Sequence, residues 1–187
     1  MITLDKETHT YRNEKGVILP SVTQILKAEG FIDDAWFTEY ARTRGEMVHL
    51  ATKMYDDGTL DESALDPVIV PYLEGYKRFL KESGFEVHFA EETVYSPSCQ
   101  FAGTLDRRGL LNGRKTLIDI KTGTVLPWVA LQTTAYDSCL LDRHDRFGLQ
   151  LTDDGKHKLI PFKDRYDVEV FLSAFACFNW KKNKGIK

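Results

Sequence analysis

Hydrophobic positions change period along the chain, and the changes outline its elements. Short alternating runs at the start, Ile2 to Leu4, Thr8 to Arg12 and Gly16 to Leu19, are split by polar turns and predict a small β element. Pro20-Ser21-Val22-Thr23 then offers a capping hydroxyl to a short helix ending near Gly30. Trp36, Tyr40, Met47, Leu50 and Met54 follow a mostly helical spacing, which predicts a longer helix from about Asp33 or Asp34 to Tyr55. A further helix is expected over about Pro67 to Ser83, where Val70, Leu73, Tyr76, Phe79 and Leu80 recur and Gly84 stops it.

From Phe85 the period becomes extended. Strands are expected at Phe85 to Tyr95, Gln100 to Leu110 and Lys115 to Lys121, the last two joined by Asn112-Gly113, a pair suited to the tightest hairpin turns. Pro127 suits the start of a helix running to about Leu141. A second hairpin is expected around Asp153-Asp154-Gly155, and a last helix from about Asp164 to Trp180 buries Phe171, Phe175 and Phe178. Helices, three strands, helix, hairpin, helix is an α/β order with a central mixed sheet flanked by helices.

Composition narrows the class. The 187 residues, 42% hydrophobic, suit one globular domain that buries roughly 70% of its unfolded surface. Within it lie the N-terminal β element and short helix (1–30), a helical segment (31–84), an αβ core (85–180) and a basic tail (181–187). No window approaches the roughly 18 apolar residues of a membrane span, and MITLDKETHT lacks a signal peptide's apolar run, so a cytoplasmic protein with no membrane partner is expected. Cys99, Cys139 and Cys177 lack metal-ligand spacing and read as buried thiols. A net charge of −3 argues against coating nucleic acid by bulk attraction, but not against an acidic cleft filled by cations. The local basic groups Arg42 and Arg44, Arg107 and Arg108, Arg114 and Lys115, and the lysines of the tail each read as solvated faces.

The first hairpin carries the candidate chemistry. A turn centred on Asn112-Gly113 places Asp106 opposite Asp119, and like charges so opposed are destabilising without compensation. Lys121, two residues after Asp119, emerges from the same face. Either this is a solvent face that Lys121 neutralises, or it is a central cation site; Leu117, Ile118 and Ile120 around Asp119 favour the second. Two carboxylates and a backbone carbonyl suit a hard cation such as Mg²⁺ or Mn²⁺, which can polarise a phosphoryl oxygen.

Asp106 followed across a hairpin by Asp119-Ile120-Lys121 resembles the core of the PD-(D/E)XK nuclease superfamily. LPSVTQIL, RGEMVH, FAGTLD, LIDIKTG and QTTAY, in this order between Leu19 and Tyr136, resemble its RecB-like exonuclease branch, which includes mitochondrial genome maintenance exonuclease and related phage exonucleases. The resemblance implies a restriction-endonuclease-like fold and a Mg²⁺- or Mn²⁺-dependent deoxyribonuclease, more an exonuclease on single-stranded or end-containing DNA than an endonuclease. It implies metal ligation by His49, Asp106, Asp119 and the Ile120 carbonyl, with Lys121 as the catalytic lysine and Gly45 allowing close backbone approach. The family's further glutamate falls on the preceding strand; spacing back from Gly103 favours Glu91, with Glu92 on the opposite face as the alternative. Arg44 and Thr122 are implied phosphate contacts on DNA, and the helix face shared by Gln132 and Tyr136 is implied to border the site and to help hold DNA or the catalytic strand. Ser21 and Thr23 match a motif of the relatives in which N-capping competes with a DNA-facing role.

Leu105 replaces the motif's proline, no cysteine pattern supports an iron–sulfur cluster, and no GxxxxGK[ST] helicase segment is present. The chain therefore reads as a stand-alone nuclease core of a bacterial or phage-infected cell, or one working with a recombination or replication partner protein. The rivals are a catalytically silent nucleic-acid-binding or assembly protein on the same fold, and a structure-specific endonuclease.

Overall fold

A computed structural model describes residues 2–5, 8–33 and 38–186. The alternating N-terminal runs form an antiparallel sheet of β1 (Thr3–Asp5), β2 (Thr10–Arg12) and β3 (Ile18–Leu19). Ser21 then caps α1 (Val22–Ala28). Its hydroxyl accepts from Gln24 N at 3.0 Å while the Gln24 side chain accepts from Ser21 N at 2.9 Å, which satisfies two helix-start donors at once.

Two helices follow, α2 (Glu39–Asp56) and α3 (Val70–Ser83), the latter closed by Gly84 at φ 66°. The main sheet is β4 (Glu86–Ser96), β5 (Phe101–Leu111), β6 (Arg114–Lys121), β7 (Asp145–Leu151) and β8 (His157–Phe162), neighbours in that order. All pairs are antiparallel except β6–β7, and a parallel pair needs a crossover, which α4 (Trp128–Asp137) supplies. α5 (Asp167–Lys184) completes the chain order.

Helices cover both faces of the sheet. Val22 and Leu26 of α1, Ala135 and Tyr136 of α4 and Phe171 and Phe175 of α5 pack against Phe101, Leu105 and Leu117. On the other face, Val48 and Ala51 of α2 and Tyr76 and Phe79 of α3 pack with Ile118, Ile120 and Leu149. Alternation along β6 explains the division, since Leu117 points one way and Ile118 and Ile120 the other. Among the described residues no helix is long and apolar enough to cross a membrane.

Several expectations are corrected. The apolar spacing in α2 marks its outer face: Tyr40 and Leu50 are 62% and 58% exposed and Met47 is also exposed, while Val48, Ala51 and Thr52 are buried. The inner face must fit against a polar network, so small and polar side chains occupy it. Trp36 and the predicted helix start at Asp34 lie outside the described residues. α4 ends at Asp137, short of Leu141, where the Asp137 carboxylate accepts from His144 N at 3.0 Å and pairs with its ring. α5 continues beyond Trp180, because Lys181, Lys182 and Lys184 sit in its last turn, where cations suit the helix dipole. Lys181 pairs there with Glu29 at 2.7 Å. The three thiols are free, but Cys177 is exposed and Cys99 and Cys139 only half-buried. Arg107, read as part of a solvated pair, is fully buried.

Candidate active site

Asn112 (φ 51°) and Gly113 (φ 74°) form the tight turn between β5 and β6, and both lie in the left-handed region that a two-residue hairpin demands. The register runs as expected from Leu111 opposite Arg114 to Arg107 opposite Ile118, then stops one pair short of Asp106 and Asp119. In place of a ladder bond, Asp106 Oδ2 accepts from Ile120 N at 2.6 Å. A carboxylate thus takes a backbone donor in the middle of the sheet, where an unpaired N–H would be costly.

β4 is irregular at the same level. Glu91 has φ 54°, rare for any residue but glycine, and lies between the pairs Ala90–Arg107 and Glu92–Leu105. Regular alternation sends consecutive side chains to opposite faces. Here Leu105 joins the core under α1, α4 and α5, whereas Asp106 and Arg107 both turn toward α2.

α2 delivers His49 to this irregularity. Its Nδ1 lies 3.3 Å from Glu91 Oε1 and 3.6 Å from Asp106 Oδ1, and its Nε2 lies 3.2 Å from the Ile120 carbonyl. One ligand atom from each of His49, Glu91 and Asp106 falls within 4.8 Å of the others, close enough for a single cation. Burial alone would lower the imidazole, but Asp106 and Glu91 outweigh it and hold His49 above its usual range. Glu92 stands apart, bound through both oxygens to Arg108 at 2.7 and 2.8 Å, so of the two glutamates it is Glu91 that reaches the trio.

Asp119 is 1% exposed and ion-paired with Lys121, yet neither of its oxygens accepts a well-directed hydrogen bond. Burial raises its carboxyl well above the ordinary range, against the pull of the Lys121 ammonium. Lys121 in turn lies 5.3 Å from the centre of the Trp128 ring. Behind Asp119, Gln132 Nε2 donates to the Tyr136 hydroxyl at 2.8 Å, and both side chains are buried. Gly103 gives the Tyr136 ring its room, since a Cβ there would overlap the ring edge.

The remaining candidates differ in their fit. Arg44 donates to the Thr122 carbonyl at 3.1 Å and lies near the rings of Tyr40 and Tyr72, so it and Thr122 share the mouth of the site. A Cβ on Gly45 would stand an ordinary 3.8 Å from Thr122 Oγ1, so no close backbone approach requires glycine there. Ser21 is spent on its cap, and Thr23 stands half-buried beside it on α1. Sequence reasoning missed the group behind the trio, Thr52, Asp56, Tyr76 and Arg107, although an arginine directly after Asp106 in an apolar strand was a visible anomaly.

The donor set fits a hard divalent cation: one imidazole, two carboxylates and a nearby carbonyl. Buried polar atoms nearly always find partners. Asp119 Oδ1 and Oδ2, Gln132 Oε1 and Arg44 Nε find no hydrogen-bond partner among the described residues, and all belong to side chains of this site.

The chain thus has a mixed α/β fold, a five-stranded sheet flanked by helices and opened at a cluster of acidic residues and a lysine. The same architecture occurs in the alkaline exonuclease LHK-Exo of Laribacter hongkongensis. Its complex with dAMP is similar over 89% of each chain, at 17% identity and a TM-score of 0.50. A second structure of that enzyme covers 88% of this chain and 92% of its own, at 17% identity and a TM-score of 0.35. No protein-family model and no curated protein matches the sequence.

Proposed function

We propose that this chain is a Mg²⁺- or Mn²⁺-dependent deoxyribonuclease, acting as an exonuclease on single-stranded or end-containing DNA. The observation that carries the reading is the convergence of His49, Glu91 and Asp106 beside the buried Asp119–Lys121 pair at the point where β5 and β6 part. The nuclease fold shared with LHK-Exo supports it, and the dAMP bound by that enzyme is a unit of DNA.

His49, Glu91, Asp106 and the Ile120 carbonyl would hold the cation, with Asp119 completing the acidic wall. A bound divalent ion supplies Lewis-acid polarisation of the phosphoryl oxygen and offsets the charge that develops in hydrolysis. Lys121 Nζ orients the attacking water and stabilises negative charge on the phosphate, while Asp119 keeps the ammonium in place. As the water oxygen bonds to phosphorus and gives up a proton to solvent, the bond to the leaving sugar oxygen breaks in line and that oxygen takes a proton from solvent. Arg44 and the Thr122 backbone position the phosphate at the mouth. Gln132 and Tyr136 support the catalytic strand from behind.

The test is incubation of purified protein with end-labelled single-stranded DNA, duplex DNA and closed circles, in Mg²⁺, Mn²⁺ or EDTA, beside Asp119→Asn and Lys121→Ala. Metal-dependent loss of linear DNA with intact circles, absent in both variants, is the expected result. Binding without cleavage in either metal would overturn the enzyme reading in favour of a silent DNA-binding protein; cleaved circles would replace the exonuclease by an endonuclease.

A further inference from the structure

Arg107 is among the largest fully buried side chains, and the proposed reaction does not use it. Its guanidinium nevertheless touches two residues of the candidate metal cluster directly and is linked to the third through Thr52. Nη1 donates to Glu91 Oε1 at 3.2 Å and to the Asp106 carbonyl at 2.7 Å. Nη2 donates at 2.9 Å to Thr52 Oγ1, whose hydroxyl bonds back to the carbonyls of Val48 and His49 at 2.9 and 3.1 Å. Nε donates to Asp56 Oδ2 at 2.6 Å, and the Tyr76 hydroxyl donates to both Asp56 oxygens at 3.0 and 2.9 Å.

Packing alone does not call for this arrangement. A buried ion pair is often no more stabilising than apolar residues of equal volume. What an arginine adds is a planar fork whose donors hold several acceptors in fixed directions, which neither a methionine nor a lysine can do. Here the acceptors are one ligand side chain, the backbone of a second ligand, and a hydroxyl tied to the helical turn of the third. Glu91 needs such a clamp most, since its backbone sits in the left-handed region and its Oε1 is shared between Arg107 Nη1 and His49 Nδ1.

We infer that Arg107 is a positioning residue that sets the Glu91 carboxylate, and through Thr52 the His49 turn, in register for a divalent cation; this rests on the metal-dependent reading above. Asp56 and Tyr76 hold the guanidinium so that its fork is aimed before any cation arrives.

Mn²⁺ binding without DNA, followed by the electron paramagnetic resonance of the free ion, tests this on wild type, Arg107→Lys, Glu91→Gln and the double variant. Residues that orient ligands typically contribute about 10–100-fold to metal affinity, so Arg107→Lys should weaken Mn²⁺ binding by roughly that factor. Because part of the Arg107 effect runs through Glu91, the double variant should lose less affinity than the two single losses combined. Thr52→Val removes the Nη2 acceptor and the tie to His49, so it should weaken binding in the same direction, and it decides the matter if circular dichroism shows that Arg107→Lys does not fold. Wild-type affinity in Arg107→Lys, even with a lowered melting temperature, would make the residue purely structural and overturn the inference, as would a fully additive double variant. A wild-type protein that binds no Mn²⁺ would overturn the metal reading itself, a separate result from normal binding in the variants.

Discussion

Gly103→Ala puts the packing behind Asp119 to a quantitative test. An alanine Cβ would overlap Tyr136 Cε1 and stand 3.2 Å from Cδ1 and Cζ. Two effects favour the substitution: about 0.4–1 kcal/mol from a less flexible unfolded chain, and roughly 0.8 kcal/mol for a buried methyl group. Overpacking opposes them at about 1–3 kcal/mol, with the upper end reached where neighbours cannot yield. The Tyr136 ring cannot yield easily. It is 3% exposed, shares a core with Val22, Leu105, Ala135 and Phe171, and its hydroxyl is held by Gln132. Overlap therefore wins, with an expected net loss of about 1–2 kcal/mol, or about 2–4 °C in Tm per kcal/mol at this chain length. Urea unfolding of wild type, Gly103→Ala, Tyr136→Leu and the double variant measures it. Removing the ring should relieve the clash, so the double variant should be at least about 1 kcal/mol more stable than the sum of the singles. A Gly103→Ala protein as stable as wild type, or an additive cycle, would refute the close packing of Gly103 on Tyr136.

Other outcomes are equally open to measurement. In EDTA, His49 contributes stability fully below about pH 6.5 and loses that contribution as pH rises through its raised value, since protonation favours the folded form. The Tm difference between wild type and His49→Gln should therefore narrow with rising pH, and a constant difference would contradict the contacts with Glu91 and Asp106. Ser21→Ala should cost about 0.5–2 kcal/mol through the lost cap. Its DNA affinity should match wild type, and a selective loss of DNA binding would assign Ser21 to the interface instead. Gly113→Ala at φ 74° should cost about 1–2 kcal/mol in thermal unfolding without changing Mn²⁺ affinity, because the turn lies at the far end of the hairpin from Asp106.

Local rules carried the fold reading a long way. The Asn112-Gly113 turn is a two-residue feature, so the β5–β6 register and the nearness of Asp106 to Asp119 could be read before any coordinates. The Ser21 cap and the Gly84 stop were legible for the same reason. Nonlocal features were not. The outward apolar face of α2 misled because its inner face meets Arg107 and Tyr76 of distant segments, and periodicity cannot tell which stripe is covered. The reversal of alternation at Leu105, Asp106 and Arg107 depends on Glu91 adopting a left-handed backbone across the sheet, which no propensity favours. Spacing back from Gly103 nonetheless pointed to Glu91, and Glu92 proves to be the partner of Arg108.

The small N-terminal sheet is fastened to the strand that bears Asp106. Ala102 N donates to the Pro20 carbonyl at 3.1 Å, the hydroxyls of Tyr11 and Thr104 lie 2.9 Å apart, and Tyr11 and Leu19 pack on Ala102. During synthesis these partners emerge some 80 or 90 residues apart, which at about 5–20 residues per second is a delay of several seconds. Through that interval β1–β3 have no surface to dock on, and a sheet of such short strands is at best marginally stable by itself. These strands, made well before β5, are thus late to settle, and a nascent chain would reach a competent β5 only after they have folded back to meet it.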